Sequence, residues 1–334
     1  MNKSLVTTIK EAAGLPRRFL PQRLLPKHFG DMVFQQLTRL CAVFILLLIV
    51  TMGWQLTQSA WPAVQKFGFG FLTETAWDPV MGEFGAAASL WGTLISSFLA
   101  LLIAVPVSLG VAIFLTQVAP AFLRRPISLA VELLAAIPSI IYGFWGLFIL
   151  SPWLATNIQP WFTEHLGHWP LVGVLFQGPP MGIGLFSAGL VLSIMVIPFM
   201  ASILTDLFET VPTQLKEASY GLGSTRWEMI TKVVLPFAKV GIVGSFMLGL
   251  GRALGETMAV TFVIGNAHRI SPSLFEPSTT IASTLANEFA EASGDLYISS
   301  LLYLGMMLFL LTFVVLVLAR LLLWRLTYEV KGKR

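Results

Sequence analysis

Arg252 and Glu256 stand four residues apart inside an otherwise apolar run, Gly249-Leu250-Gly251-Arg252-Ala253-Leu254-Gly255-Glu256-Thr257-Met258-Ala259-Val260. On a continuous helix that spacing puts both side chains on one face, within touching distance. An unpaired charge at mid-bilayer costs between about 2.5 and 17 kcal/mol, so ionisable residues there either pair or line a pathway. Two chemistries are open. The pair can be a structural ion bridge. Alternatively, the rigid guanidinium fork, which matches phosphate or carboxylate oxygens, can meet an anion in transit. Glu256 would then orient the fork, or repel the anion until the pathway changes shape. The hydroxyl of Thr257 completes the candidate pathway set. Gly241, Gly244, Gly249, Gly251 and Gly255 thin this helix so that a neighbour can pack closely.

The second constellation lies just before that run. From Val211-Pro212 to Leu235-Pro236 the chain turns polar, with Glu217-Ala218-Ser219 followed by Gly223. Pro212 can open a helix, because its missing donor costs nothing in the first turn. Gly221 and Gly223 break that helix, Ser224 or Thr225 can cap a new one, and Glu228 favours its first turn. Two short helices joined by a glycine turn suit a surface that a partner grips. Small side chains at Ala218 and Ser219 let the partner approach, and Gly223 admits a turn that a side chain would block.

Three other groups carry less. Glu132, near Arg124 and Arg125, can pair with them or reach interfacial water; with Pro138 it is a candidate for gating or for structure. His165 and His168 could share a helix face, but a metal site wants three or four ligands and no further ones are evident. The single cysteine, Cys41, excludes a disulfide framework or thiolate metal site and is expected to be a small buried hydrophobe.

The elements that must position these residues are membrane helices. Hydrophobic residues make up 56% of the 334 and charged ones 11%, against about 25% charged in soluble domains. A crossing needs about 20 apolar residues, and runs near 33–58, 88–117, 127–154, 183–206, 237–264 and 297–320 qualify. The expected fold is all-α, with six membrane helices and a polar coupling loop. Of the 21 lysines and arginines, Lys66 and Arg269 alone fall on one side and Arg252 falls inside a span; the rest share the other side. By the positive-inside rule both ends face the cytoplasm. The basic residues therefore set topology, and nucleic acid is not an expected partner. The expected organisation is a cytoplasmic arm at 1–31 that can lie against anionic lipid, a membrane domain at 32–326 with its coupling loop at about 207–240, and a cytoplasmic tail at 327–334. No cleavable signal peptide is evident.

EASYGLGSTRWEMITKVVLP at 217–236 resembles the loop of binding-protein-dependent ABC importer permeases, with serine at 219 where alanine is usual. LGLGRALGETMAV at 248–260 is similar to the PstC family of permease subunits of bacterial phosphate importers; ELLAAIPSIIYG at 132–143, the stretch at 91–115 and WDPVMGEFG at 77–85 fit the same family. The resemblance covers nearly everything after about residue 32. It implies a type I permease in the bacterial inner membrane, paired with a PstA-like second permease. Two PstB-like ATPases would engage Glu217, Ala218, Ser219 and Gly223. A PstS-like periplasmic protein would deliver inorganic phosphate to Arg252, Glu256 and Thr257. A phosphate-sensing regulatory system is also associated with such complexes. The chain has no phosphate-cradling glycine loop followed by Lys-Ser/Thr, so ATP and Mg2+ belong to the partner ATPase and no cofactor or enzymatic activity is expected of this subunit. The alternatives are a permease of the same architecture for molybdate or sulfate, an ion-gradient-driven carrier, or a membrane-embedded enzyme.

Overall fold

A computed structural model describes residues 29–170 and 172–332. Most of the expected arm, residues 1–28, lies outside the described residues, as do the last two of the expected tail. Among the described residues, six helices are long and apolar enough to cross a membrane: Gly30–Leu72, Ala87–Val118, Ser139–Leu166, Leu185–Glu209, Arg226–Leu254 and Asp295–Arg325.

The chain divides into residues 1–52 and 53–334. In the first unit, the described residues belong to helix α1 (Phe29–Phe67), and the residues from Gly30 through Met52, Cys41 included, are exposed. Cys41 is thus not the buried hydrophobe expected, because no other described residue of its unit covers this stretch; an apolar surface there suits lipid. Residues 53–67 begin the second unit. The helix persists to Phe67, so Trp61 sits on it rather than in the connection expected after residue 58.

A hairpin of two short strands, β1 (Trp77–Asp78) and β2 (Glu83–Phe84), pairs Trp77 with Phe84 ahead of α2 (Ala87–Ile113). The buried side of α2 is a stripe of small residues, Ser89, Thr93, Ser96, Ala100, Ala104, Ser108 and Ala112. Small residues let backbones approach where lipid offers no hydrophobic driving force. Against it lies α5 (Leu185–Glu209), the most enclosed crossing.

The third crossing corrects the expected 127–154. Helix α3 (Ala121–Ala136) ends before Ile137, whose extended backbone (φ −64°, ψ 130°) precedes Pro138. A proline disfavours helical geometry in the residue before it, and Pro138 then leads into α4 (Ser139–Leu166), which contains two π-helical turns, Gly146–Leu150 and Leu154–Ile158. After α5 come α6 (Thr213–Gly221), α7 (Arg226–Met229) and α8 (Leu235–Leu254), α7 and α8 being joined by a π-helical turn. The fifth crossing also departs from expectation: α8 stops at Leu254 and a separate α9 (Met258–Ile264) resumes after three residues. Helix α10 (Ile281–Glu288) and the long α11 (Asp295–Gly332) complete the chain, α11 continuing helical through the start of the expected tail.

Candidate functional site

Arg252 occupies the last turn of α8, and the helix fails two residues later for local reasons. Glycine at 255 is about 1 kcal/mol poorer than alanine inside a helix. Glu256 then competes for backbone donors, its Oε1 accepting the Ala259 N–H at 3.2 Å, one of the donors that a helix start leaves without an intrahelical partner. The two charges therefore do not share one helix face. Among the described residues no carboxylate forms an ion pair with Arg252. The ion bridge that the spacing left open is not formed; the glutamate instead accepts from the first turn of α9. Thr257 joins the two pieces, its Oγ1 3.4 Å from the Gly255 carbonyl and its own carbonyl accepting from the Thr261 backbone N–H at 3.0 Å and from Thr261 Oγ1 at 2.8 Å.

What does meet the guanidinium is an aromatic ring. Arg252 Cζ lies 5.0 Å from the centroid of Phe199 on α5. Its Nε is buried without a hydrogen-bond partner. Tyr142 on α4 lies within electrostatic reach of Arg252, but its hydroxyl donates to the Leu134 carbonyl at 2.8 Å. Around this point Val196 and Met200 of α5, Ala253 of α8 and Ala259, Val260 and Val263 of α9 form the buried core. The result is a cation against an apolar wall whose Nε has no acceptor among the described residues, and a guanidinium is a group suited to an anion's oxygens. Sequence reasoning located the arginine and missed the ring, which comes from another helix.

Glu132 and Pro138 belong to other elements, Glu132 to α3 and Pro138 to the break between α3 and α4. Glu132, exposed on α3, accepts from Ser128 Oγ at 3.3 Å. It makes no ion pair with Arg124 or Arg125; Arg124 donates instead to the Thr116 carbonyl at 3.2 Å. Pro138 marks the α3–α4 break.

The polar elbow is built from two capped helices. Leu222, Gly223 and Ser224 close α6: the Gly223 N–H bonds the Tyr220 carbonyl at 2.9 Å and the Ser224 N–H reaches the Ser219 carbonyl at 3.2 Å. This paired closure requires a left-handed residue, and Gly223 supplies it at φ 84°. Thr225 then caps α7 reciprocally, its Oγ1 accepting from the Glu228 N–H at 3.3 Å while Glu228 Oε2 accepts from the Thr225 N–H at 3.0 Å. The Thr225 N–H, followed by Lys232 at 3.0 Å, holds the Glu228 carboxyl down to about 2. Glu217, Ala218 and Gly223 are exposed, but Ser219 is buried against its own chain, so it is not the approach surface expected of it. In its place Leu222, 88% exposed, and Trp227, 69% exposed, offer apolar contact area that the sequence reading left out.

At the opposite end of the crossings a third cluster ties loops together. Glu288 Oε2 accepts from Trp77 Nε1 at 2.6 Å and from the Tyr297 hydroxyl at 2.8 Å, while Oε1 pairs with His268 Nε2 at 2.8 Å. Trp77 stacks on His268, and Phe84 stacks on Tyr297. Burial works against the Glu288 charge, but the bonds from His268, Tyr297 and Trp77 outweigh it and keep the carboxyl below its usual range. Glu288→Ala would strand these donors in a half-buried site at a cost of about 2–3 kcal/mol. A lower thermal-inactivation midpoint is expected; an unchanged one would show that the cluster does not hold the hairpin.

A membrane helix broken just after Arg252, with a capped polar elbow before it in the chain, fits a transport permease of the ABC importer kind. Solved structures with this fold include the inward-facing MetNI methionine ABC transporter, 19% identical over 75% of this chain and 99% of that one with a TM-score of 0.54. A bacterial alginate ABC transporter, solved with an alginate-pentasaccharide-bound periplasmic protein, is 16% identical over 88% and 96% of the two chains, with a TM-score of 0.57. The family model described as binding-protein-dependent transport system inner membrane component matches residues 104–328. The phosphate transport system permease protein PstC of Pasteurella multocida is 56% identical over 90% of this chain and 94% of its own length. Its counterparts in Mesorhizobium japonicum and Haemophilus influenzae are 55% and 52% identical, covering 88% and 91% of this chain and 90% and 96% of theirs. The chain belongs to the PstC family of binding-protein-dependent transport permeases.

Proposed function

We propose that this chain is the PstC-type subunit through which inorganic phosphate crosses the inner membrane from periplasm to cytoplasm, in an importer driven by ATP. The observation that carries this reading is Arg252: a guanidinium within a membrane helix, with no carboxylate partner among the described residues and an unbonded buried Nε. A phosphate ion supplies both the missing charge and the missing acceptors. The names of the relatives support phosphate over other oxyanions. Both termini and the α6–α7 elbow face the cytoplasm, as the distribution of lysine and arginine favours. There Glu217, Ala218 and Gly223, with Leu222 and Trp227, form the surface that two PstB-like ATPases engage; Ser219 acts from beneath it, as the carbonyl that closes α6. Those subunits bind ATP and Mg2+ and do the hydrolysis. A PstA-like permease completes the pathway, and a PstS-like protein delivers the ion to the end marked by Glu288. Glu256 and Thr257 shape the break rather than neutralise the arginine.

The test is uptake of labelled phosphate into vesicles carrying the whole complex. Uptake is expected to require ATP and the ATPase, and to be unaffected by excess molybdate or sulfate. Uptake of molybdate or sulfate that phosphate does not compete, or transport sustained by an ion gradient after the ATPase is removed, would overturn the assignment.

A further inference from the structure

We propose that Phe199 is the positioning residue for Arg252: its ring face seats the guanidinium so that the fork's N–H donors stay available to the anion in transit. The inference rests on the reading that Arg252 meets the transported ion. Its ground is geometric. The ring centroid is 5.0 Å from Cζ, within the range at which an aromatic face attracts a cation. No carboxylate shares the guanidinium among the described residues, and the two polar groups best placed to do so are engaged elsewhere. Glu256 is turned to the Ala259 N–H and the Tyr142 hydroxyl to the Leu134 carbonyl.

The choice of a ring has a chemical consequence. A carboxylate in that position would take up two donors of the fork and cancel its charge. An aliphatic wall would leave a long, flexible side chain free among rotamers. A π face attracts the cation through its quadrupole and occupies none of its N–H donors as an acceptor carboxylate would. Phe199 thus orients the arginine without competing with the ion.

The chain has a device that brings the ring to this place. Gly249 lies three residues before Arg252 on α8. A Cβ there would stand 2.5 Å from Met200 Sδ and 3.4 Å from Val196 Cγ1. Its absence lets α8 lie directly on the stretch of α5 that carries Phe199. Glycine at this position therefore has a packing reason, close helix approach, and a functional result.

The experiment measures phosphate taken up per ATP hydrolysed by the complete complex at saturating binding protein, with assembly checked by co-purification. Phe199→Leu keeps an apolar side chain and removes the ring face; the ratio is expected to fall about tenfold, in line with loss of a desolvated cation–π contact. Phe199→Tyr and Phe199→Trp, which keep a face, are expected to recover most of it. Where leucine disturbs assembly, Phe199→Met serves as the ringless variant. A ringless variant that assembles and transports like the wild type would overturn the proposal, as would aromatic variants as defective as the ringless one. If the wild-type complex moves a different anion, the phosphate reading fails alone, and the same comparison made with that anion still decides the role of Phe199.

Discussion

Replacing Arg252 with alanine is expected to abolish phosphate uptake while the complex still assembles. The side chain makes no ion pair among the described residues, so its removal strands no carboxylate, and its neighbours Val196, Met200 and Ala253 belong to a core that does not need a charge. The loss falls on the passing ion. A multiply charged oxyanion stripped of its one compensating cation in an apolar wall loses an interaction of the size measured when one partner of a buried pair is deleted, about 3–5 kcal/mol. That corresponds to more than a hundredfold in rate. The measurement is labelled phosphate uptake by vesicles containing equal amounts of assembled complex. Retained uptake would move Arg252 to a structural role and remove the main support for an anion pathway here.

Gly223→Val is expected to uncouple ATP hydrolysis from uptake, or to release the ATPase altogether. Nothing lies within 4 Å of a Cβ built at this position, so the effect is not a clash. It is conformational. The backbone there has φ 84°, a region costing an ordinary L-residue about 1–2 kcal/mol and a β-branched one more. Relieving that strain means giving up the Gly223–Tyr220 and Ser224–Ser219 bonds that close α6, which re-aims Leu222 and Trp227 on the exposed side of the elbow. Gly221 is the internal control: it ends α6 with ordinary helical geometry and open space around it, so Gly221→Ala should be tolerated. The ratio of phosphate moved to ATP hydrolysed reads out both variants. A valine variant with normal coupling and normal co-purification of the ATPase would show that the elbow's shape does not transmit force.

Local signals were legible in the sequence wherever one segment decides the outcome. A cap at Ser224 or Thr225 with Glu228 in the first turn after it, and the glycine turn at 223, depend only on neighbouring residues. The breaks were harder. Pro138 is a strong stop, yet the residues on both sides of it are apolar and read as one span; the extended backbone at Ile137 follows from the proline itself. At Gly255-Glu256-Thr257 the helical spacing of Arg252 and Glu256 suggested a pair. The carboxylate bonds to the Ala259 N–H instead, an option that spacing alone does not rank. Burial of Ser219 and the exposure of Leu222 and Trp227 depend on which face of a short helix meets the rest of the chain. The ring beneath Arg252 was beyond reach for a similar reason: it belongs to α5, which packs closely on α8 at Gly249.

The interruption between Leu254 and Met258 changes what the fifth crossing is mechanically. An unbroken rod from the elbow to Ile264 would pass any twist applied at one end to the other undiminished. Three residues that belong to neither helix, Gly255 among them with φ −95° and ψ 1°, interrupt it instead. Its near arm carries Arg252 in its last turn. Its far arm, α9, packs against α4, where a Cβ at Gly143 would stand 2.7 Å from Phe262 and 3.0 Å from the Met258 carbonyl. The far arm is thus held to α4 by its own packing, separately from the turn of α8 that carries Arg252, so the two halves of this crossing are anchored to different neighbours.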